Sequence, residues 1–489
     1  MSCKTALFLC VLSLVATTAQ AYNFLYIDPT NGKPIGWEPG TTIHYYLDPG
    51  PLGRLTNDQA HTLLKEAMKI WENASPYANV PHFEFAGYLP EDVDGGNYQK
   101  YVSLGQCYTN DLASCPTQAQ KDLQTVVVFD NDDSILEKEL CRITQCSATS
   151  GARVISGSSQ EPGYIVQGIQ VFGGAFASST ATKVNAIIGV MTHELGHLLG
   201  LAHTSLNQQA YIEDKGELAR YMPTMFAYDV GGTNLEKNMV TLNPDDIAGI
   251  SNLYPSDNLV TQTGIIKGMI LKSDGSPMMH VNVIARNVED PLCEAYSFLA
   301  GRTCEAATQE ACENDIDLVS DPGFIISGFP VGSYTLEVEE VADEDLAHTL
   351  APGLVDPFIS GDAEFWNEGD QSDESNTLST VIDLMVGEIK EGVNIILNRS
   401  EVTSDRILYL PLDTFIAGPG TACPENPSIN YAALVGINED SQPVSTTNGG
   451  NGTTINPPSE DNPVTTTSNT HKTGSASQGG CSLIQSIPF

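Results

Sequence analysis

His193-Glu194-Leu195-Gly196-His197-Leu198-Leu199-Gly200-Leu201-Ala202-His203 decides how the chain is to be understood. It has the form H-E-x-x-H-x-x-G-x-x-H, and each fixed position has a chemical use. On a helix, His193 and His197 stand one turn apart on one face, so both imidazoles can reach the same ion. Glu194 projects beside them, where a bound water would sit. Gly200 can leave the helix through a left-handed backbone, which lets His203 swing back as a third ligand. Three neutral nitrogen ligands with a fourth position open are the ligand set of a catalytic zinc, not a structural one. Two plainer readings compete: histidines merely packed on a core helix, and a site that holds metal without catalysis. The apolar run Ala186-Ile187-Ile188-Gly189-Val190-Met191 before the motif predicts a helix buried along most of its length.

The pattern resembles the metzincin clan of zinc endopeptidases, whose members carry a methionine turn beneath the metal. Pro223-Thr224-Met225-Phe226-Ala227-Tyr228 stands at the matching distance. The resemblance implies that Met225 packs its thioether under the imidazoles without being a ligand. Thr204, directly after the third histidine, is nearest to the matrixin branch, where Ser usually stands. Leu242 to Tyr254 looks like the last helix of a matrixin catalytic domain. Its own chemistry favours a helix start: Asn243 as N-cap, Pro244 at N1, and Asp245 and Asp246 facing the positive helix end. Tyr228 is open between an oxyanion role, a pocket-wall role and plain core packing.

What the resemblance implies is a secreted zinc-dependent endopeptidase hydrolysing peptide bonds of extracellular proteins. One zinc ion would activate a water, with Glu194 as general base. Two alternatives stand beside it: a non-catalytic surface or matrix-binding protein, and a peptidase restricted to one precursor. Retention of Glu194 beside three ligands favours the enzyme. An edge strand at about Ala152 to Ser158 would pair with extended protein or peptide substrates. The resemblance breaks in two places. The stretch between Ala21 and Thr41 is too short for a pro-region with a zinc-blocking cysteine, so cysteine-switch latency is not expected. A second, structural zinc lacks its histidines, since His44, His61 and His82 alone precede the motif.

Residues 1–21 form a signal peptide: Lys4, an apolar run from Ala6 to Ala16, and the small-residue cleavage site Ala19-Gln20-Ala21. An extracellular location follows, with no further stretch apolar enough to span a membrane. In an exported chain, Cys107, Cys115, Cys141 and Cys146 are disulfide candidates, with Cys107–Cys115 and Cys141–Cys146 the shortest pairing. A cysteine metal site is the alternative. Cys293, Cys304 and Cys312 leave one odd thiol, for which Cys423 is a candidate partner.

The formal net charge is -39, from 22 basic and 61 acidic residues. That excludes nucleic acid and anionic lipid as natural partners. A solvated acidic surface explains most of the charge. Structural calcium is a second candidate cofactor, at Asp130-Asn131-Asp132-Asp133 or Asp92-Val93-Asp94-Gly95-Gly96-Asn97, though neither completes an EF-hand loop.

The fold expected is α+β. Residues 22–257 form a matrixin-like domain with a mixed twisted sheet, long helices and a zinc cleft. Thr42–Leu47, His82–Phe85, Thr125–Phe129, Arg153–Ser156 and Tyr164–Gln167 are its strands, and Thr56 opens a helix running to Trp71. Residues 262–398 alternate in short runs broken by D-G and P-x-G turns, which predicts an all-β sandwich. This part resembles the carboxypeptidase regulatory-like (transthyretin-like) module, with Glu391-Gly392 as its last turn, and serves as scaffold, spacer or binding surface. Residues 399–440 are a short accessory segment, and 441–489 a disordered low-complexity tail. The terminal Gly479-Gly480-Cys481 looks like a stripped sorting tail, so anchoring to the cell surface through Cys481 is open, against a free or dimer-forming thiol.

Overall fold

In the computed structural model of the chain, the described residues are 23–25, 28, 33–101, 123–136, 148–155, 163–179, 182–209, 221–227, 240–276, 278, 281–300, 323–339, 364–369, 379–397 and 429–439. The class is α+β, with several sheets and few helices. Tyr228, Cys107, Cys115, Cys141, Cys146, the signal segment and the 441–489 tail lie outside these residues. Cys293 is disulfide-bonded, to a partner that also lies outside them. Among the described residues no helix is long and apolar enough to cross a membrane.

The first region is built on a sheet of β1 (Gly36–Trp37), β2 (Thr42–Leu47), β3 (His82–Tyr88), β4 (Thr125–Asp130), β5 (Ala148–Ile155) and β6 (Tyr164–Gly173). Its spatial order is β1-β6-β4-β2-β3, with β5 on the other side of β6. The pairs β2–β3, β2–β4, β4–β6 and β1–β6 are parallel, and β5 alone runs antiparallel, on β6. Valine-rich β4 is buried at every position, as befits a central parallel strand covered on both faces.

Helix α1 (Asn57–Glu72) begins at a capping box: Thr56 Oγ accepts from Gln59 N, and the Gln59 side chain accepts from Thr56 N. Its apolar face of Leu63, Leu64, Ala67, Met68 and Trp71 packs against α3 (Val184–Leu199), the helix that carries His193 and His197. Trp71 Nε1 donates to Thr192 O at 2.7 Å, which fixes the two helices in register. A short α2 (Gly174–Ser178) precedes α3. The carbonyls left open at the C-terminal turn of α3 are satisfied from elsewhere in the chain. Trp37 Nε1 donates to Leu198 O at 2.9 Å, and Tyr254 Oη to Leu199 O at 2.5 Å. Tyr254 ends α4 (Pro244–Leu253), whose N-cap is Asn243, as the sequence predicts.

After α5 (Leu259–Gln262) the chain enters a region of two small sheets. One joins β7 (Gly264–Lys272), β10 (Gly323–Phe329), β14 (Ile389–Lys390) and β15 (Ile395–Leu397); the other joins β8 (Asn282–Asn287), β9 (Ala295–Leu299), β11 (Gly332–Glu339), β12 (Glu364–Phe365) and β13 (Ile382–Leu384). Ile266, Ile270, Phe324 and Ile326 of the first share a buried cluster with Val283, Ala285, Leu336 and Val338 of the second. Gly392 has a φ of +77°, the left-handed value a turn there demands of glycine.

Residues 429–439 then return to the first region. They include α6 (Tyr431–Leu434), and Val435 O accepts from Gln59 of α1 at 2.7 Å. Glu439 Oε1 accepts from Val184 N at 2.7 Å, placing a carboxylate on the positive N-terminus of α3.

The acidic turns show what their carboxylates do. Asp130 Oδ2 accepts from the Ile135 and Leu136 amides, Asp133 accepts from Ala175 N, and Asp94 Oδ1 accepts from Gly96 N. They brace turns, and no three of them meet at one point among the described residues. Burial pushes the Asp130 carboxyl up to about 6, against the two amides, which lower it. A raised carboxyl pKa favours the folded state most below the unfolded value near 3.8, and that contribution is lost as pH rises through about 6. Asp130→Asn should therefore gain stability relative to the wild type between about pH 4 and pH 7, which urea-unfolding midpoints across that range will show. A constant difference over the range rules the linkage out.

Candidate metal centre

His193 and His197 sit on the buried face of α3, and His203 lies after its end; the three are 3%, 1% and 0% exposed. The helix stops at Gly200, whose φ is +109°. Gly200 N donates to His197 O at 2.9 Å and Leu201 N to Gly196 O at 3.0 Å, the paired bonds of a Schellman ending. A Cβ at Gly200 would press on Ile35 O, so glycine is required by both conformation and space. The reversed chain then brings His203 back over the helix. Asn23 fastens it there: its Nδ2 donates to His203 O, and its own carbonyl accepts from Ala202 N, both at 2.9 Å.

The three Nε2 atoms form a triangle with edges of 3.0, 3.1 and 3.2 Å. Ligand bonds of about 2.0–2.1 Å at tetrahedral angles give an edge near 3.3 Å, so the triangle fits one small divalent ion capping it. Tautomers strengthen the fit. His193 Nδ1 lies 2.6 Å from Thr224 O and His197 Nδ1 lies 2.8 Å from Leu201 O. Carbonyls accept only, so each Nδ1 carries the proton and each Nε2 is a bare lone pair. Bare nitrogens cannot hydrogen-bond to each other; at this separation they call for a cation. Burial pushes the His193 imidazole down to about 4 and His197 well below its ordinary value, which keeps both neutral and ready to ligate. Among the described residues this is the only group of three or more His, Cys, Asp or Glu arranged to hold a metal.

Glu194 is 2% exposed. Ser150, on β5, donates from Oγ to Glu194 Oε2 at 2.7 Å and lies 2.9 Å from Glu194 O, so the edge strand holds the carboxylate. Burial pushes the Glu194 carboxyl up to about 7, with the Ser150 bond acting the other way. A cation at the three nitrogens would also favour the ionised form.

Met225 is 3% exposed and lies under α3, against Gly196. A Cβ at Gly196 would overlap the Met225 sulfur and crowd the Trp71 indole, which explains the glycine inside the motif. The Met225 segment is held by Asp246, whose carboxylate accepts from Thr224 N at 2.8 Å, Met225 N at 3.0 Å and Asn243 N at 2.8 Å. Asp246 thereby fixes Thr224, whose carbonyl orients His193. Thr204 N donates to Met225 O at 3.0 Å, tying the stretch after His203 to the same segment. His61 is buried against Tyr45 Oη at 2.8 Å, while exposed His44 and His82 face Glu84 and Glu72, so none of the three is near the triad's chemistry.

Sequence patterns missed Ser150 and the reach of Asp246. The sequence predicts the strand from Arg153, whereas β5 starts at Ala148, and nothing in Ala148-Thr149-Ser150-Gly151-Ala152 alternates. Asp246 reads locally as a helix-dipole residue, and only the fold places its second function.

No family model matches this chain, and no curated protein matches it. A solved structure described as the Streptococcal ancillary pilin is similar at 13% identity over 29% of this chain and 34% of that chain, with a TM-score of 0.14. A score that low says nothing about fold or activity.

Gly196→Ala should destabilise the protein by about 1–3 kcal/mol, because the methyl must displace Met225 or Trp71. Chemical denaturation measures it, and Met225→Ala in the same chain should restore part of the loss.

Proposed function

We propose that the protein is an exported zinc-dependent endopeptidase with a matrixin-like catalytic region, joined to a β-sandwich of the carboxypeptidase regulatory-like kind. One observation carries the reading: a buried carboxylate, Glu194, held by Ser150 and adjoining the first of three imidazoles whose Nε2 atoms meet. Metal storage has no use for that carboxylate. Zinc suits the all-imidazole donor set, and when bound it supplies Lewis-acid polarisation of a carbonyl and an acidified water.

The chain's own groups supply the rest. Glu194 accepts a proton at its carboxylate and returns it to the leaving amine. Ser150 keeps that carboxylate from turning away. Strand β5 lies at the sheet edge and runs antiparallel to β6, so its outer backbone groups can pair with an extended substrate, independent of the substrate's side chains. That favours protein substrates in extended form. The resemblance of His193–His203, Thr204, Met225 and the Asn243–Tyr254 helix to the matrixin pattern supports the same class, and the signal-like residues 1–21 support export.

Glu194→Gln should lower kcat on a denatured protein substrate about 100- to 10,000-fold while Zn2+ binding stays intact. A zinc chelator should abolish wild-type cleavage, and added Zn2+ should restore it. Equal degradation by wild type and Glu194→Gln would refute the enzyme.

A further inference from the structure

Arg286 lies on β8 and is fully buried, yet its partners are not confined to the two-sheet region. Its Nε donates to Glu337 Oε1 on β11 at 2.6 Å, and Nη1 donates to Pro291 O at 2.9 Å. The same Nη1 donates to Asn207 Oδ1 at 2.8 Å, and Asn207 stands four residues after His203 in the first region.

Asn207 is held from every side. Its φ of +57° is left-handed, a conformation that asparagine tolerates better than most side chains. Its Nδ2 donates to Tyr221 O at 2.7 Å and to Leu292 O at 3.1 Å. Tyr221 stands three residues before Thr224 and four before Met225. One side chain thus joins the exit from His203, the start of the methionine segment and the second sheet. Its neighbours extend the contact. Gln208 and Gln209 donate to Glu339 at 3.0 and 2.6 Å, Leu206 is buried with Ile284 and Ala295, and Ser297 N donates to Asp245 at 2.7 Å.

We propose that Arg286, acting through Asn207, is a positioning residue for His203, so that the two-sheet region is a working part of the metal centre. His203 is the one member of the triad that no helix holds. Asn23 and the Thr204–Met225 bond fix its backbone on one side, and the Asn207 cluster fixes the chain that follows. A spacer would meet the first region through solvated or apolar surface. Here a desolvated guanidinium, Arg286, and a desolvated glutamate, Glu339, find hydrogen-bond partners in both regions.

The inference rests on the metal reading above, and its test separates the two. Full-length wild type, Asn207→Gly and the paired Arg286→Met/Glu337→Met variant are titrated with Zn2+ against a chromophoric chelator. Each is also loaded with Co2+ for its visible absorption spectrum. Glycine keeps the left-handed backbone at 207, and the paired variant leaves no lone charge between Arg286 and Glu337. Both variants should bind Zn2+ about 10- to 100-fold more weakly, with a Co2+ spectrum displaced from that of the wild type. Far-ultraviolet circular dichroism should be unchanged; if the paired variant does not fold, Asn207→Gly decides. Wild-type Zn2+ affinity and an unchanged Co2+ spectrum in the folded variants would overturn the positioning role alone. A wild type that binds no Zn2+ overturns the metal reading, and this inference with it.

Discussion

Three buried imidazole Nε2 atoms held 3.0–3.2 Å apart are the constraint around which the rest of the molecule is arranged. Those of His193 and His197 are bare lone pairs that face each other and cannot donate. Left alone, such rings would rotate apart or take up protons. Two are prevented from turning by carbonyls at Thr224 and Leu201, and burial disfavours their protonation. The fold therefore builds a demand for a cation, then braces every group that sets the geometry.

The bracing comes in layers that differ in sequence distance. Helix α3 brings His193 and His197 together by its own period, with Trp71, Trp37 and Tyr254 satisfying or fixing its carbonyls. Gly200 turns the chain so that His203 can return. Beyond that point short-range geometry is not enough. Asp246 reaches from α4 to the Thr224–Met225 backbone, and Asn207 meets Arg286 from the second region. The centre is thus held by contacts from nearly every part of the described chain. Even the far end takes part, since Glu439 accepts from the first amide of α3.

Much of this is legible in the sequence. Strand β2 and the start of α1 lie where alternation and the helix start at Thr56 put them, and α4 begins at the Asn243-Pro244 signal. These elements declare themselves through residues close in the chain. The first half of strand β5 does not, because small and polar residues at 148–152 carry no period, and its pairing depends on β6. Ser150 was invisible for the same reason. A lone serine acquires meaning only from the carboxylate it meets.

The division has a physical cause. Helical spacing, a glycine's access to left-handed backbone and the donor chemistry of histidine are local properties, so eleven consecutive residues suffice to propose a metal centre. Hydrogen bonds between groups far apart in the chain are not local. Whether Asp246 serves its own helix end or the methionine segment, and whether Arg286 is confined to its sheet or reaches Asn207, depends on which surfaces are brought together and dried. Only tertiary packing decides that, because a buried polar group must find its partner wherever the fold has placed one.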